Sequence, residues 1–141
     1  MSLRIIACVE DNEIDRKALA LAVDDLGDVE VTSFASGREA LDTMLAAHPD
    51  EGPDVIILDV NLPDLRGDEI IRRLRDASRY QHTPIMVVSG SKDPSAVQGL
   101  YEDGANAYLA KPRNFVELVE DYRLCLSFWL RCVSSAPSPL S

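Results

Sequence analysis

No CxxC pair, no glycine-rich phosphate loop and no basic leader followed by an apolar stretch occur in this sequence, and each absence closes off a class. Three cysteines without CxxC spacing point to reduced thiols in a cytosolic setting, with Cys8 expected as a buried strand residue. The first strand runs into "EDNEID" where a nucleotide-binding module would present backbone amides, and acids there repel nucleotide phosphates. Apolar runs stay far below the ~18 residues of a membrane span, and no secretory signal precedes "LRIIACV". Positive charge is scarce too. Lys and Arg number 14 against 24 Asp and Glu, a formal net charge of −10. Such a surface repels nucleic-acid backbones and anionic lipids, so neither is an expected partner, and cations suit it better. A soluble, cytoplasmic protein is expected.

What is present is alternation. The β-rich runs "IIACV", "VEVTSF", "VIIL", "PIMVVS" and "AYLA" are separated by segments of helical period, five repeats of strand then helix. Ser36 with Glu39 and Asn114 with Glu117 have capping-box spacing, and Asp93-Pro94 reads as N-cap then first helical residue. Continuous apolar runs suit strands covered on both faces, and strand-helix-strand crossovers make the sheet parallel. The 141 residues therefore predict one doubly wound α/β domain over 1–132. Residues 133–141, rich in Ser and Pro, predict a flexible tail with no output domain after it.

In open parallel sheets, ligands sit beyond the carboxyl ends of the strands. Here the first strand is followed by Glu10 and Asp11, and the third by Asp59; the fourth ends in Ser89 and the fifth runs into Lys111. Acids such as Asp24, Asp25, Glu102 and Asp103 are ordinary members of solvated helix faces. By contrast, Glu10 and Asp11 follow one strand and Asp59 another, and all three meet at one rim. Two carboxylates ~5 Å apart repel by ~3 kcal/mol at an effective dielectric of 20, so three together want a cation. Hard oxygen donors without His or Cys favour Mg²⁺ or its relative Mn²⁺ over zinc. Lys111 and Ser89 suit the oxygens of a phosphoryl group, and Asp59 is placed to act as nucleophile on phosphorus. In "VNLPDLRG", Pro63 is expected to fix the exit from the strand and Gly67 to permit unusual backbone angles. His48 and His82 fall in predicted loops and carry no metal role.

Taken in order, "VEDN", "LDVNLPDLRG", "VVSGS" and "GANAYLAKP" resemble the receiver domain of two-component response regulators over about Leu3 to Trp129. The resemblance implies a flavodoxin-like (βα)5 fold in strand order 2-1-3-4-5. It also implies that Asp59 accepts a phosphoryl group from a histidine kinase. Asp11, Asp59 and the Asn61 backbone carbonyl would hold Mg²⁺, with Glu10 acting through water. Ser89 and Lys111 would hold phosphoryl oxygens, and Tyr108 would turn inward behind Ser89 as part of a switch. The family usually has Asp where Glu10 stands and often Thr-Ala where Ser89-Gly90 stands; the chemical groups are kept, and the lifetime of the phosphorylated state is left open. More narrowly, "LDVNLP", "GANAYLAKP" and "SFWL" resemble single-domain responders paired with bacterial phytochromes, which implies a light-sensing histidine kinase. A chemotaxis-type or other stand-alone receiver is the alternative.

Two surfaces ask for partners. In the first helix, Leu19, Ala22, Val23 and Leu26 form one apolar arc, and Ile14, Ala18 and Leu21 a second that suits kinase docking. In the last, Phe115, Leu118, Val119, Tyr122, Cys125, Leu126 and Trp129 form the expected core stripe. Outside it, Leu124, Phe128 and Cys132 make a second ridge, expected to form a symmetric homodimer unless the tail folds back over it. Two rival functions remain: a phosphorylation-independent adaptor, and an Asp-nucleophile phosphatase of the haloacid-dehalogenase type. The latter needs a second Asp where Asn61 stands, and there is no cap insertion.

Overall fold

Successive residues of a strand point to opposite faces, so a run as apolar as Val55-Ile56-Ile57-Leu58 needs cover on both sides. The computed structural model, which describes residues 3–48, 50–90 and 93–132, provides it. In chain order the elements are β1 (Arg4–Val9), α1 (Glu13–Val23), β2 (Val29–Phe34), α2 (Gly37–Ala46), β3 (Val55–Asp59), α3 (Gly67–Asp76), β4 (Ile85–Ser89), α4 (Pro94–Asp103), β5 (Ala107–Ala110) and α5 (Phe115–Cys132). All strand pairs are parallel, and the order is β2-β1-β3-β4-β5, as the resemblance implies. The tail expected over 133–141 lies outside the described residues, and no described helix is long and apolar enough to cross a membrane.

Two cores result. Ile56 and Leu58 join Ala7, Val9, Ile85 and Val87 against α2 and α3. Val55 and Ile57 join Ile6, Cys8, Met86 and Val88 against α1 and α5. Each fully buried aliphatic side chain contributes roughly 1.5–3 kcal/mol. Cys8 is buried as expected, and burial in the company of Glu10 pushes its thiol up to about 12. The anticipated caps form: Ser36 Oγ accepts from Glu39 N at 3.2 Å, Asn114 Oδ1 from Glu117 N at 2.8 Å, and Asp93 Oδ1 from Ser95 N at 3.1 Å.

Three expectations change. Ala18 is fully buried with Leu19, Ala22 and Val23, leaving Ile14 and Leu21 alone on the exposed arc. At 3.6 residues per turn it stands about 40° from both Ile14 and Ala22, and the small side chain at this boundary lets the helix backbone lie close to the sheet. Phe115 keeps the phase of the core stripe, but as the first residue of α5 it is 38% exposed. Gly67 has no positive φ. Its role is contact: a Cβ there would stand 2.7 Å from the Cα of Val60, so the glycine lets α3 start directly against the end of β3.

Candidate functional site

At the carboxyl ends of the strands, local hydrogen bonds fix each acid. Glu10 continues β1, its N–H donating to Phe34 O at 2.9 Å, and its side chain is buried. Asn12 caps α1, its Oδ1 accepting from Ile14 N at 2.9 Å and Asp15 N at 3.1 Å, while its own N–H donates to Glu10 Oε2 at 3.2 Å. Arg16 Nη1 donates to the Glu10 carbonyl at 2.7 Å. Asp59 is the last residue of β3, and its Oδ1 accepts from Asn61 N at 2.9 Å. The loop that follows is tied down by Asp64, which accepts from Ser36 Oγ at 2.8 Å, Gly37 N at 3.0 Å and Arg38 N at 2.9 Å. Those bonds hold the Asp64 carboxyl down at about 2.

The three rim acids converge: one carboxylate oxygen from each of Glu10, Asp11 and Asp59 lies within 4.8 Å of the other two. Glu10 is 2% and Asp59 5% exposed, while Asp11 opens the cluster to solvent. Lys111 reaches across from beyond β5, its Nζ donating to Asp15 Oδ2 at 2.7 Å, Glu10 Oε1 at 2.8 Å and Asp59 Oδ2 at 3.4 Å. One ammonium does not balance so many carboxylates. Burial and a hydrogen bond with Asp59 push the Glu10 carboxyl up to about 7, against the pull of Lys111. Burial draws the Lys111 ammonium down, but its bonds to Asp15 and Glu10 outweigh this and raise it overall. The donor set is all hard oxygen with one solvent-facing member, so the cluster can bind a divalent ion of the Mg²⁺ or Mn²⁺ type.

Ser89 lies fully buried at the end of β4, where its Oγ accepts from Asn61 Nδ2 at 3.0 Å and its carbonyl accepts from Lys111 N at 2.8 Å. Asn61, whose backbone carbonyl the resemblance assigns to the metal, sits in the same turn as Asp59. Tyr108, opposite Val87 on the edge strand β5, packs half-buried against the α2/α3 core. Ile14, Leu21, Leu124 and Phe128 are exposed, whereas the side chain of Cys132 lies outside the described residues. Both histidines are exposed in loops. Sequence reasoning missed Asp15. Its signal was the cap at Asn12, which places residue 15 in the first turn of α1, over the same rim.

Comparison with known proteins agrees with this geometry. Residues 6–123 match the model of the family described as the response regulator receiver domain. The polar-differentiation response regulator DivK of Brucella ovis is 30% identical over 120 residues, covering 83% of this chain and 94% of that protein. The phosphorylated cyanobacterial phytochrome response regulator RcpA superposes with a TM-score of 0.85 at 27% identity, over 98% of this chain and 99% of that one. The Mn²⁺-bound form of response regulator Rcp1 gives a TM-score of 0.85 at 27% identity, over 96% of this chain and 99% of its own.

Proposed function

The chain belongs to the response regulator receiver domain family, and from that membership we propose that Asp59 accepts a phosphoryl group from the phosphohistidine of a histidine kinase. The observation that carries the reading is the buried Asp59 carboxylate, set within 4.8 Å of Glu10 and Asp11 and 3.4 Å from the Lys111 ammonium. Its oxygen attacks phosphorus in line, the phosphorus-nitrogen bond to the imidazole breaks, and the imidazole leaves. Asp11, Asp59 and the Asn61 backbone carbonyl would hold Mg²⁺ or Mn²⁺, with Glu10 acting through water. When bound, the ion neutralises charge on the phosphoryl oxygens. Lys111 and Ser89 take the remaining oxygens. Ser89, which accepts from Asn61 Nδ2, moves toward the new phosphoryl oxygens, and Tyr108, packed half-buried one strand away, turns inward behind it as the switch that carries the signal to partner proteins.

Ile14 and Leu21, exposed on α1 beside the acid rim, form the kinase-docking patch. The similarity to phytochrome response regulators supports a bacterial phytochrome as that kinase, in a cytoplasmic setting. Leu124 and Phe128, 68% and 62% exposed, support a homodimer through α5. The reading is tested by incubation with Mg²⁺ and acetyl phosphate followed by intact mass. Wild type should gain the mass of one phosphoryl group and Asp59→Asn none; an adduct on both, or on neither, contradicts the assignment.

A further inference from the structure

Lys111 has three ammonium N–H donors, and all three are taken by carboxylates. The contacts are unequal. Those to Asp15 and Glu10, at 2.7 and 2.8 Å, have the length of charge-assisted bonds, whereas the one to Asp59 is stretched to 3.4 Å. Asp15 also differs from the other two in kind. It is not one of the three acids whose oxygens converge, and so has no metal to turn to. It is fixed by the Asn12 cap in the first turn of a helix anchored by Ala18, Leu19, Ala22 and Val23. A phosphoryl oxygen arriving at Asp59 therefore finds Lys111 fully engaged and drawn toward α1.

Resting on the functional reading above, we propose that Asp15 is a positioning residue that competes with the phosphoryl group for Lys111, holding the ammonium on the α1 side of the rim and weakening its grip on phosphorylated Asp59. The proposal concerns how strongly the site holds a phosphoryl group, not whether it forms one. Substituting Asn for Asp15 keeps the shape of the side chain and removes its charge, which frees Lys111 to move toward Asp59.

The experiment is calorimetric titration with trifluoroberyllate, a non-transferable stand-in for a phosphoryl group, at saturating Mg²⁺ so that metal affinity does not enter. Asp15→Asn should bind it about fivefold more tightly than wild type, because a charge-assisted competitor becomes a neutral one. Asp15→Glu, which retains the competing charge, should stay within about twofold of wild type. Glu13→Gln removes the same charge from the same helix turn, where Glu13 faces Lys17 at 3.8 Å instead, and should also stay within about twofold. Equal or weaker binding by Asp15→Asn, or the same gain from Glu13→Gln, overturns the proposal. No binding by wild type at all overturns the functional reading, and this inference with it.

Discussion

At the carboxyl-end rim of the sheet, Glu10, Asp15 and Asp59 share one ammonium group while Asp11 crowds in beside Glu10 and Asp59; at the opposite rim, one guanidinium serves four neutral acceptors. Arg75 donates to the carbonyls of Gly104, Tyr80 and Thr83 and to Asn106 Oδ1, all at 3.1 Å or less, while Asn106 Oδ1 also accepts from Ile85 N. It thereby ties the end of α3 to the segments entering β4 and β5. Nearby, Asp54 accepts from Ile5 N at 2.8 Å and pairs with Arg4 at 3.8 Å. Arg75 and Asp54 thus have structural jobs, and removing either leaves buried or half-buried partners unmet. On the acid rim, like charges are gathered where the fold alone would separate them. One rim holds the molecule together; the other stores electrostatic tension that a cation and a phosphoryl group can use.

Substitutions at the two rims should therefore separate function from stability. The largest contrast is Asp59→Asn, which should abolish the phosphoryl adduct while raising the metal-free stability by about 1 kcal/mol or more, since one of the crowded charges is gone. A urea melt beside the mass measurement reads both; a destabilised Asp59→Asn would erase the contrast. Next is Arg75→Ala, expected to cost about 2–4 kcal/mol in the same melt, because the carbonyls of Gly104, Tyr80 and Thr83 lose this donor at once. Phosphoryl uptake per folded molecule should be unchanged, and loss of uptake in the folded variant would mean that the rims are coupled.

A smaller effect lies in pH. The folded chain binds the Glu10 proton more tightly than the unfolded one, with the carboxyl up at about 7 from its ordinary 4.5. Stability from this group is complete below the lower value and lost as pH rises through the upper one. Metal-free protein should thus weaken between pH 5 and about 7.5, and Glu10→Gln should flatten the slope by part of that loss. A slope identical in the variant would remove Glu10 as its source. The smallest change in monomer stability is expected from Phe128→Glu, within about 0.5 kcal/mol, as suits an exposed residue. Phe128 borders a groove of about 830 Å³ on the structural rim, between Arg4, Gly27 and Leu130. Sedimentation should show dimers of wild type at tens of micromolar and monomers of the variant; monomers of both would remove α5 as an interface.

How much of this was legible depends on the range of the forces involved. Strand alternation and caps are local, so β2 matches the expected "VEVTSF" over its full length, and Ser36, Asp93 and Asn114 cap as read. The acid rim was legible because parallel topology sends every strand end to one edge, whatever the side chains do there. Residues that depend on close packing were less so. Ala18 sits on the boundary between two arcs, and the choice of face depends on how closely the backbone approaches the sheet. Gly67 reads as a turn glycine, but it is the neighbour across the turn, Val60, that requires it. Asp15 looks like any first-turn acid until Lys111, 96 positions away, is seen to bond it. Phe115 has the right phase, but as the first residue of α5 it is left partly exposed.

The central claim, that the acid trio is strained without a divalent ion, is met most directly by thermal denaturation at pH 7.5 and constant ionic strength, with and without millimolar Mg²⁺. Wild type should gain several degrees with Mg²⁺, corresponding to about 1–2 kcal/mol. Asp11→Asn and Asp59→Asn should start higher and respond little. Identical midpoints for wild type with and without the ion, or variants that start lower, would contradict it.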